Sequence, residues 1–231
     1  MTDGHWARYF VTKKEVVRTT WAFKAALIVA LVLVVYLTEP FWTHAVAESL
    51  VCEHTEHLER ADALLIDDFE SDYSLFGRAR QLQEAGLSSR AIAPVNVVST
   101  GSISTVSEAI IDALARLARL GNLRTVPVSN VEPISLNTAF QIKQFVKENG
   151  IRSLMVVTPA FRSQRSMMIY AAVLNPAGVS TQCAPVFSRS MQDWTQSWHG
   201  IQDVALQFVK LQYYRWYVLP FRFDEAGGVS H

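Results

Sequence analysis

Residues 125–158 read TVPVSNVEPISLNTAFQIKQFVKENGIRSLMVVT. The stretch opens and closes on short apolar runs, Thr125–Val131 and Ser153–Thr158. Between them Ala139, Ile142 and Val146 recur at helical spacing. Ser135 has the chemistry of an N-cap, and Gly150 stands where a helix would end. A strand, a helix and a second strand in succession make a β-α-β unit, whose strands run parallel. The rhythm continues on both sides. Further runs lie at Ala61–Asp67, Arg90–Val98 and Thr181–Val186. The segment from Asp72 to Ala85 is periodic and ends at Gly86. In the next, Ile110, Ile111, Leu114, Leu117 and Ala118 are expected on one helical face, with Gly121 as the stop. The pattern predicts a Rossmann-like, mainly parallel five-stranded sheet with helices on both faces.

Residues 21–37, WAFKAALIVALVLVVYL, are of a different kind. No charge occurs from Ala25 to Leu37. A membrane-crossing helix needs about 20 mostly apolar residues. The run reaches that length as residues 21–42, with Lys24 snorkelling and Trp21, Tyr36, Phe41 and Trp42 at the interfaces. Arg8, Lys13, Lys14 and Arg18 precede it, and no Lys or Arg follows until Arg60. The positive-inside rule then puts the N-terminus in the cytoplasm and the rest outside. A cleaved signal peptide is the rival, because Ala45-Val46-Ala47 resembles a cleavage triplet. The long stretch from Thr38 to Ala47, carrying Pro40 and Trp42, favours the retained anchor. The expected organisation is a cytoplasmic segment (1–20), one N-terminal transmembrane helix (21–42), a connector helix (43–60), the α/β domain (61–219) and a tail (220–231).

Lys plus Arg and Asp plus Glu balance at 21 each, which gives no support to a nucleic-acid partner. Cys52 and Cys183 are far apart, with no Cys/His cluster at zinc spacing, so no metal site is expected. A bridge between them suits an oxidising compartment, but two independent thiols are the favoured reading. His54 and His57 read as surface residues, and His199 as a helix-start residue. The aromatic segment Leu211–Phe223 is expected to pack on the core; resting on a membrane surface is the alternative.

In a doubly wound sheet, ligands bind at the carboxyl ends of the strands. Those ends carry Asp67 and Asp68; Thr100 and Gly101, then Glu108; Glu132, Ser135, Asn137 and Thr138; and Thr158, Arg162 and Arg165. Asp67 and Asp68 suit a divalent cation, although a solvated turn is the favoured reading. Arg162 and Arg165 suit a phosphate or carboxylate, or an ordinary ion pair with Glu132 or Asp67, with the ligand reading ahead for Arg165. Glu108 suits orienting a water, or a helix start.

Three matches, Glu132-x-x-Ser135-x-Asn137-Thr138, Val157-Thr158-x-Ala160-Phe161 with Arg165, and Thr100-Gly101 with Ser107-Glu108-Ala109, occur in order with a final helix ending in Tyr213-Tyr214-Arg215. Together these segments resemble the SanA/YdcF/ElyC-like family of bacterial envelope proteins over roughly residues 60 to 215. The resemblance implies an inner-membrane protein with one crossing and an extracytoplasmic domain acting in envelope biogenesis. Its partners would be the lipid bilayer, an anionic phosphorylated or lipid-carrier-linked small molecule, and envelope proteins. It implies Glu108, Glu132 and Asp67 as catalytic carboxylates, and Thr100, Gly101, Ser135, Asn137, Thr138, Thr158, Arg162 and Arg165 as ligand contacts. No cofactor is named by it. An enzyme of this kind would be a phosphoester or pyrophosphate hydrolase or a related transferase. Two departures are visible. The first turn, Ile66-Asp67-Asp68-Phe69-Glu70, lacks the family's glycines, and Arg162 stands where the family often has histidine. Both favour binding over turnover, and leave a non-catalytic scaffold as the alternative.

Overall fold

The computed structural model describes residues 20–53, 58–67, 72–97, 105–187 and 193–223. The chain divides into two compact units, Met1–Trp42 and Thr43–His231.

In the second unit, the strands are β1 (Ala63–Ile66), β2 (Ala91–Val97), β3 (Leu123–Ser129), β4 (Ser153–Pro159) and β5 (Ser180–Val186). Every pairing is parallel, in the order β3-β2-β1-β4-β5. The chain winds outward from β1 to β3, then returns to the other side of β1 as β4. The switch point is therefore the β1–β4 pair, where Leu65 lies opposite Val156 and Ile66 opposite Val157.

The central strands are apolar on both faces, as a covered parallel sheet requires. Leu64 and Ile66 of β1, with Met155 and Val157 of β4, join a core with Leu75 and Phe76. These last two belong to the helix Tyr73–Glu84 (α3), and the helix Thr105–Ala118 (α4) covers the same face. Ala63 and Leu65, with Leu154 and Val156, join the opposite core. There the helices Ile134–Glu148 (α5) and Ala160–Leu174 (α6) pack, with Ala139, Ile142 and Val146 of α5 fully buried. On the edge strand β3, Val126 and Val128 point into the core and Pro127 lies exposed between them. Proline is tolerated there because an edge strand can spare a ladder donor.

Local signals set most helix ends. Asp72 caps α3 by accepting from the Ser74 amide at 2.8 Å. Gly86 and Gly150 take the left-handed conformation, with φ of 73° and 65°. After α4 the expected stop at Gly121 is not the one used: Arg119 and Asn122 carry the positive φ. The α4 face is also offset from the one expected. Ile111, Ala115 and Ala118 are buried, while Ile110 and Leu117 are exposed. Tertiary packing chose the 111-115-118 stripe among the apolar residues available. Ser135 is not the cap of α5. That position belongs to Pro133, with no side-chain cap bond, which puts Ser135 inside the first turn.

Asp62 clasps the amino ends of β1 and β4. Its Oδ2 accepts from the amides of Arg152 (2.8 Å) and Ser153 (3.0 Å). The Arg152 amide, aided by that of Ser153, holds the carboxyl below its ordinary value, against a smaller opposing effect of burial. A depressed folded value means that the stabilisation is present above the unfolded value and lost as pH falls through the folded one. The stability advantage of the native chain over Asp62→Asn should therefore be constant near neutrality and vanish as pH falls below about 4, in denaturant titrations run across that range.

Cys52 and Cys183 are joined by a disulfide, with Cα atoms 6.5 Å apart. This overturns the expectation of two independent thiols. The fold brings the connector at Cys52 against β5, a proximity that sequence spacing does not disclose.

The first unit holds the helix Trp21–Leu37 (α1), none of whose residues is buried. A second helix, Glu39–Leu50 (α2), follows directly. The expected single helix over 21–42 is thus broken at Thr38. Pro40 explains the break: it lacks the amide that would continue the ladder, and its ring crowds the carbonyl of Tyr36, four residues earlier. Thr38 closes α1, donating Oγ1 to the Val34 carbonyl at 2.7 Å. At about 1.5 Å per residue α1 is roughly 26 Å long, short of the roughly 30 Å hydrocarbon core. Among the described residues no single helix is long and apolar enough to cross a membrane. Among those residues, α1 and α2 taken together, as a broken pair, have the length and composition.

From Trp198 to Tyr213 runs the last long helix (α7), followed by a π-helical turn, Tyr214–Val218, and a short turn, Leu219–Phe221. Tyr214 and Val218 are buried in the α5/α6 core, and Phe223 packs against it. Val204 and Leu211 pack with Ala47, Leu50 and Trp194.

Candidate functional site

β1 delivers Asp67 to the carboxyl edge beside the switch point. Its amide donates to the Val157 carbonyl at 2.9 Å, which ties it to β4. α6 starts directly after β4 and carries Arg162, Ser166 and Tyr170, each four residues from the last. Four-residue spacing stacks side chains on one helical face, and here all three reach the same carboxylate. Arg162 Nη2 donates to Oδ1 at 3.1 Å, and the Tyr170 hydroxyl donates to Oδ1 at 3.2 Å. Ser166 Oγ donates to Oδ2, as does Thr158 Oγ1 at 3.3 Å. Asp67 is 1% exposed and Arg162 7%. The favoured solvated turn is therefore corrected at Asp67: four donors replace its water. The ion pair of Arg162 with Asp67, an alternative in the sequence, is present.

Burial pushes the Tyr170 phenol well above its ordinary value, and the neighbouring Asp67 carboxylate adds to the rise. Tyr170 is thus a neutral donor across the physiological range. Ser166 and Tyr170 were missed in the sequence, although their spacing from Arg162 was a usable signal. Tyr170→Phe should cost about 1–3 kcal/mol in urea unfolding, because it withdraws a donor from a buried carboxylate without opening a large cavity. An unchanged midpoint would remove the hydroxyl from the network.

Arg165 lies on another face of α6. Its Nη2 donates to Gln207 Oε1 of α7 at 3.1 Å, and its guanidinium carbon lies 5.5 Å from the centre of the Tyr214 ring. Gln207 Nε2 in turn donates to Asp203 Oδ1 at 3.4 Å. The structure thus places Arg165 in a brace between α6 and the C-terminal helix. Ser163 Oγ donates to the Ala160 carbonyl and accepts from the Cys52 amide at 2.8 Å, which joins the disulfide segment to the start of α6.

The β3–α5 connection holds the next group. Asn137 is buried, and its Nδ2 donates to the carbonyls of Val131 (3.0 Å) and Pro133 (3.4 Å). Thr138 is fully buried, and among the described residues its hydroxyl has no hydrogen-bond partner. Ser135 is half-buried, while Glu132 is exposed just before a cis Glu132–Pro133 peptide. Glu108 is half-buried in the first turn of α4, on the opposite face of the sheet from α5 and α6. Thr100 and Gly101, like Asp68, His54 and His57, lie outside the described residues. The site residues that one network unites are Asp67, Thr158 and Arg162. A cavity of about 570 Å³ opens at the other edge of the sheet, by the amino ends of β2 and β3, lined by Arg90, Asn122, Arg124, Phe145 and Asn149. Among the described residues no group of three or more His, Cys, Asp and Glu side chains gathers as a metal site.

Neither a protein-family model nor a curated protein matches the chain. Among solved structures, a universal stress protein in complex with cAMP is similar at 12% sequence identity and a TM-score of 0.36. The match covers 55% of this chain and 99% of that one. A likeness that distant carries no argument about ligand or activity. The strand order and the two covered faces define this chain as a Rossmann-like α/β domain with a buried Asp67–Arg162 network at its switch point.

Proposed function

We propose that this chain is a membrane-anchored protein of the bacterial envelope. In this reading its α/β domain lies outside the inner membrane and binds an anionic, phosphorylated or lipid-carrier-linked small molecule at the carboxyl edge of the sheet. The Cys52–Cys183 disulfide carries the placement, because such bonds persist in oxidising compartments. Retention of the N-terminal segment is supported by Ala47. Cleavage after the Ala45-Val46-Ala47 triplet would remove this residue from the domain, yet it is fully buried in one cluster with Val204 and Leu211.

The edge carries the amino ends of α5 and α6, whose backbone amides are suited to an anion. Asp67 is poorly suited to activate water, because it already accepts from four side chains and is out of solvent. This favours binding over hydrolysis, and leaves Glu108 and Glu132 as the other carboxylates of any turnover. A partner-binding scaffold is the second reading. It is favoured by Arg162 and Arg165, whose guanidinium groups bond protein side chains.

Thermal unfolding of the full chain in detergent, with sugar phosphates, nucleotides or a polyprenyl phosphate and with or without Mg²⁺, separates the two. A bound ligand at about a hundredfold its Kd adds about 2.7 kcal/mol. That corresponds to a rise of about 5–10 °C for a domain of this size. No rise with any of these compounds would sink the small-molecule reading and leave the scaffold.

A further inference from the structure

A surface helix ordinarily buries its apolar stripe and shows a polar one to water. α7 and the π turn bury one apolar stripe, and the face turned outward is apolar as well. Val204, Leu211, Tyr214 and Val218 point inward. Trp198, Leu206, Val209, Tyr213, Trp216 and Phe221 point outward, with Trp198 67%, Val209 64% and Trp216 70% exposed. Trp198, Val209 and Trp216 follow one another by eleven and seven residues, spacings that keep them along one line of the helix. Gln202, Ala205 and Gln212 fill the line, so it carries no charge over its length.

The charged residues of α7 and the π turn keep to the margins. Lys210 and Asp203 flank one side and Arg215 the other. Asp203 is exposed and accepts a hydrogen bond from Gln207, so the margins carry two cations, Lys210 and Arg215, against one acid. The exposed rings are held in rungs: Tyr213 stacks on Tyr217 at 5.4 Å, and Tyr217 meets Phe221 at 6.1 Å.

We infer that this face lies against the headgroup region of an anionic bilayer, with Trp198, Val209 and Trp216 entering the boundary and Lys210 and Arg215 meeting phosphates. The residue types are those that settle at a membrane interface: Trp and Tyr at its depth, aliphatics below and cations at the rim. A contiguous exposed apolar face of this kind marks a contact surface rather than ordinary exposure. The inner side of the same helix receives Ala47 and Leu50, which follow the apolar helix α1 closely in the chain. On the proposed anchored reading, on which this inference rests, the tether is short and the bilayer is the surface within its reach.

The test uses the full chain in nanodiscs of phosphatidylcholine and phosphatidylglycerol whose acyl chains are brominated near the headgroup. Subtracting the spectrum of a Trp198→Phe/Trp216→Phe variant isolates the emission of those two rings. That emission should fall by roughly half or more in brominated lipid, and by less when phosphatidylglycerol is omitted. Retention of the chain on liposomes through an alkaline wash reports the anchor separately. Retention with emission insensitive to bromine and open to iodide would overturn the surface contact and leave the anchor standing. Loss of both would overturn the two together. Emission shielded from iodide yet insensitive to bromine, with cross-linked dimers, would assign the face to a second copy and overturn the lipid contact.

Discussion

Asp67→Ala is expected to lower the unfolding free energy by about 3–5 kcal/mol, near the upper end of what one side chain can cost. The loss does not come from the ion pair alone. The carboxylate is the shared acceptor of Arg162, Thr158, Ser166 and Tyr170, all within the fold rather than at its surface. Its removal takes the Asp67 charge from a guanidinium with little access to water, and an acceptor from three hydroxyls. Replacing the charges as a pair should hurt less than removing one. Asp67→Ala with Arg162→Met should recover part of the loss, because the buried guanidinium is removed together with the carboxylate. Denaturant unfolding of the four members of this cycle gives the coupling directly. A single-variant loss below about 1 kcal/mol would mean that the charges are hydrated rather than interlocked.

Removing the disulfide comes next. Cys52→Ser and Cys183→Ser should each lower stability by about 2–5 kcal/mol. The bond closes a loop with a sequence separation of 131, so it restricts the unfolded chain heavily. Both sulfurs are buried, at 4% and 5% exposure, so part of the loss is local packing. A reductant should reproduce the effect in the native chain and leave either variant unchanged. Identical mobility on a gel with and without reductant would refute the bridge.

Local pattern was enough for the sheet. Each strand is an apolar run of the right length, and Gly86 and Gly150 stop their helices because only their backbones turn left-handed without strain. The Ala139-Ile142-Val146 face was readable because one stripe alone was apolar there. On α4 several stripes were, so the neighbours decided. Hydropathy over residues 21–42 suggested one helix because it does not see the missing amide of Pro40.

The candidate site was legible as a place more than as a mechanism. Asp67, Thr158 and Arg162 were marked by standing after strands. That the three share one network depends on partners 91 and 95 residues away from Asp67, beyond any local reading. A still larger separation, 131 residues, hid the bridge from Cys52 to Cys183. Ser166 and Tyr170 could have been found by extending the four-residue spacing from Arg162 into α6.

That bridge also sets the mechanics of the chain. Tension applied between the N-terminal helix and the C-terminus enters at residue 52, crosses the sulfur–sulfur bond and leaves from residue 183. β1 to β4 lie inside the closed loop and carry none of it. At about 3.3–3.6 Å per residue, a separation of 131 locks roughly 430–470 Å of contour length while the bond is intact. The protein would yield at its C-terminal helix first, and the sheet would become extensible only after reduction.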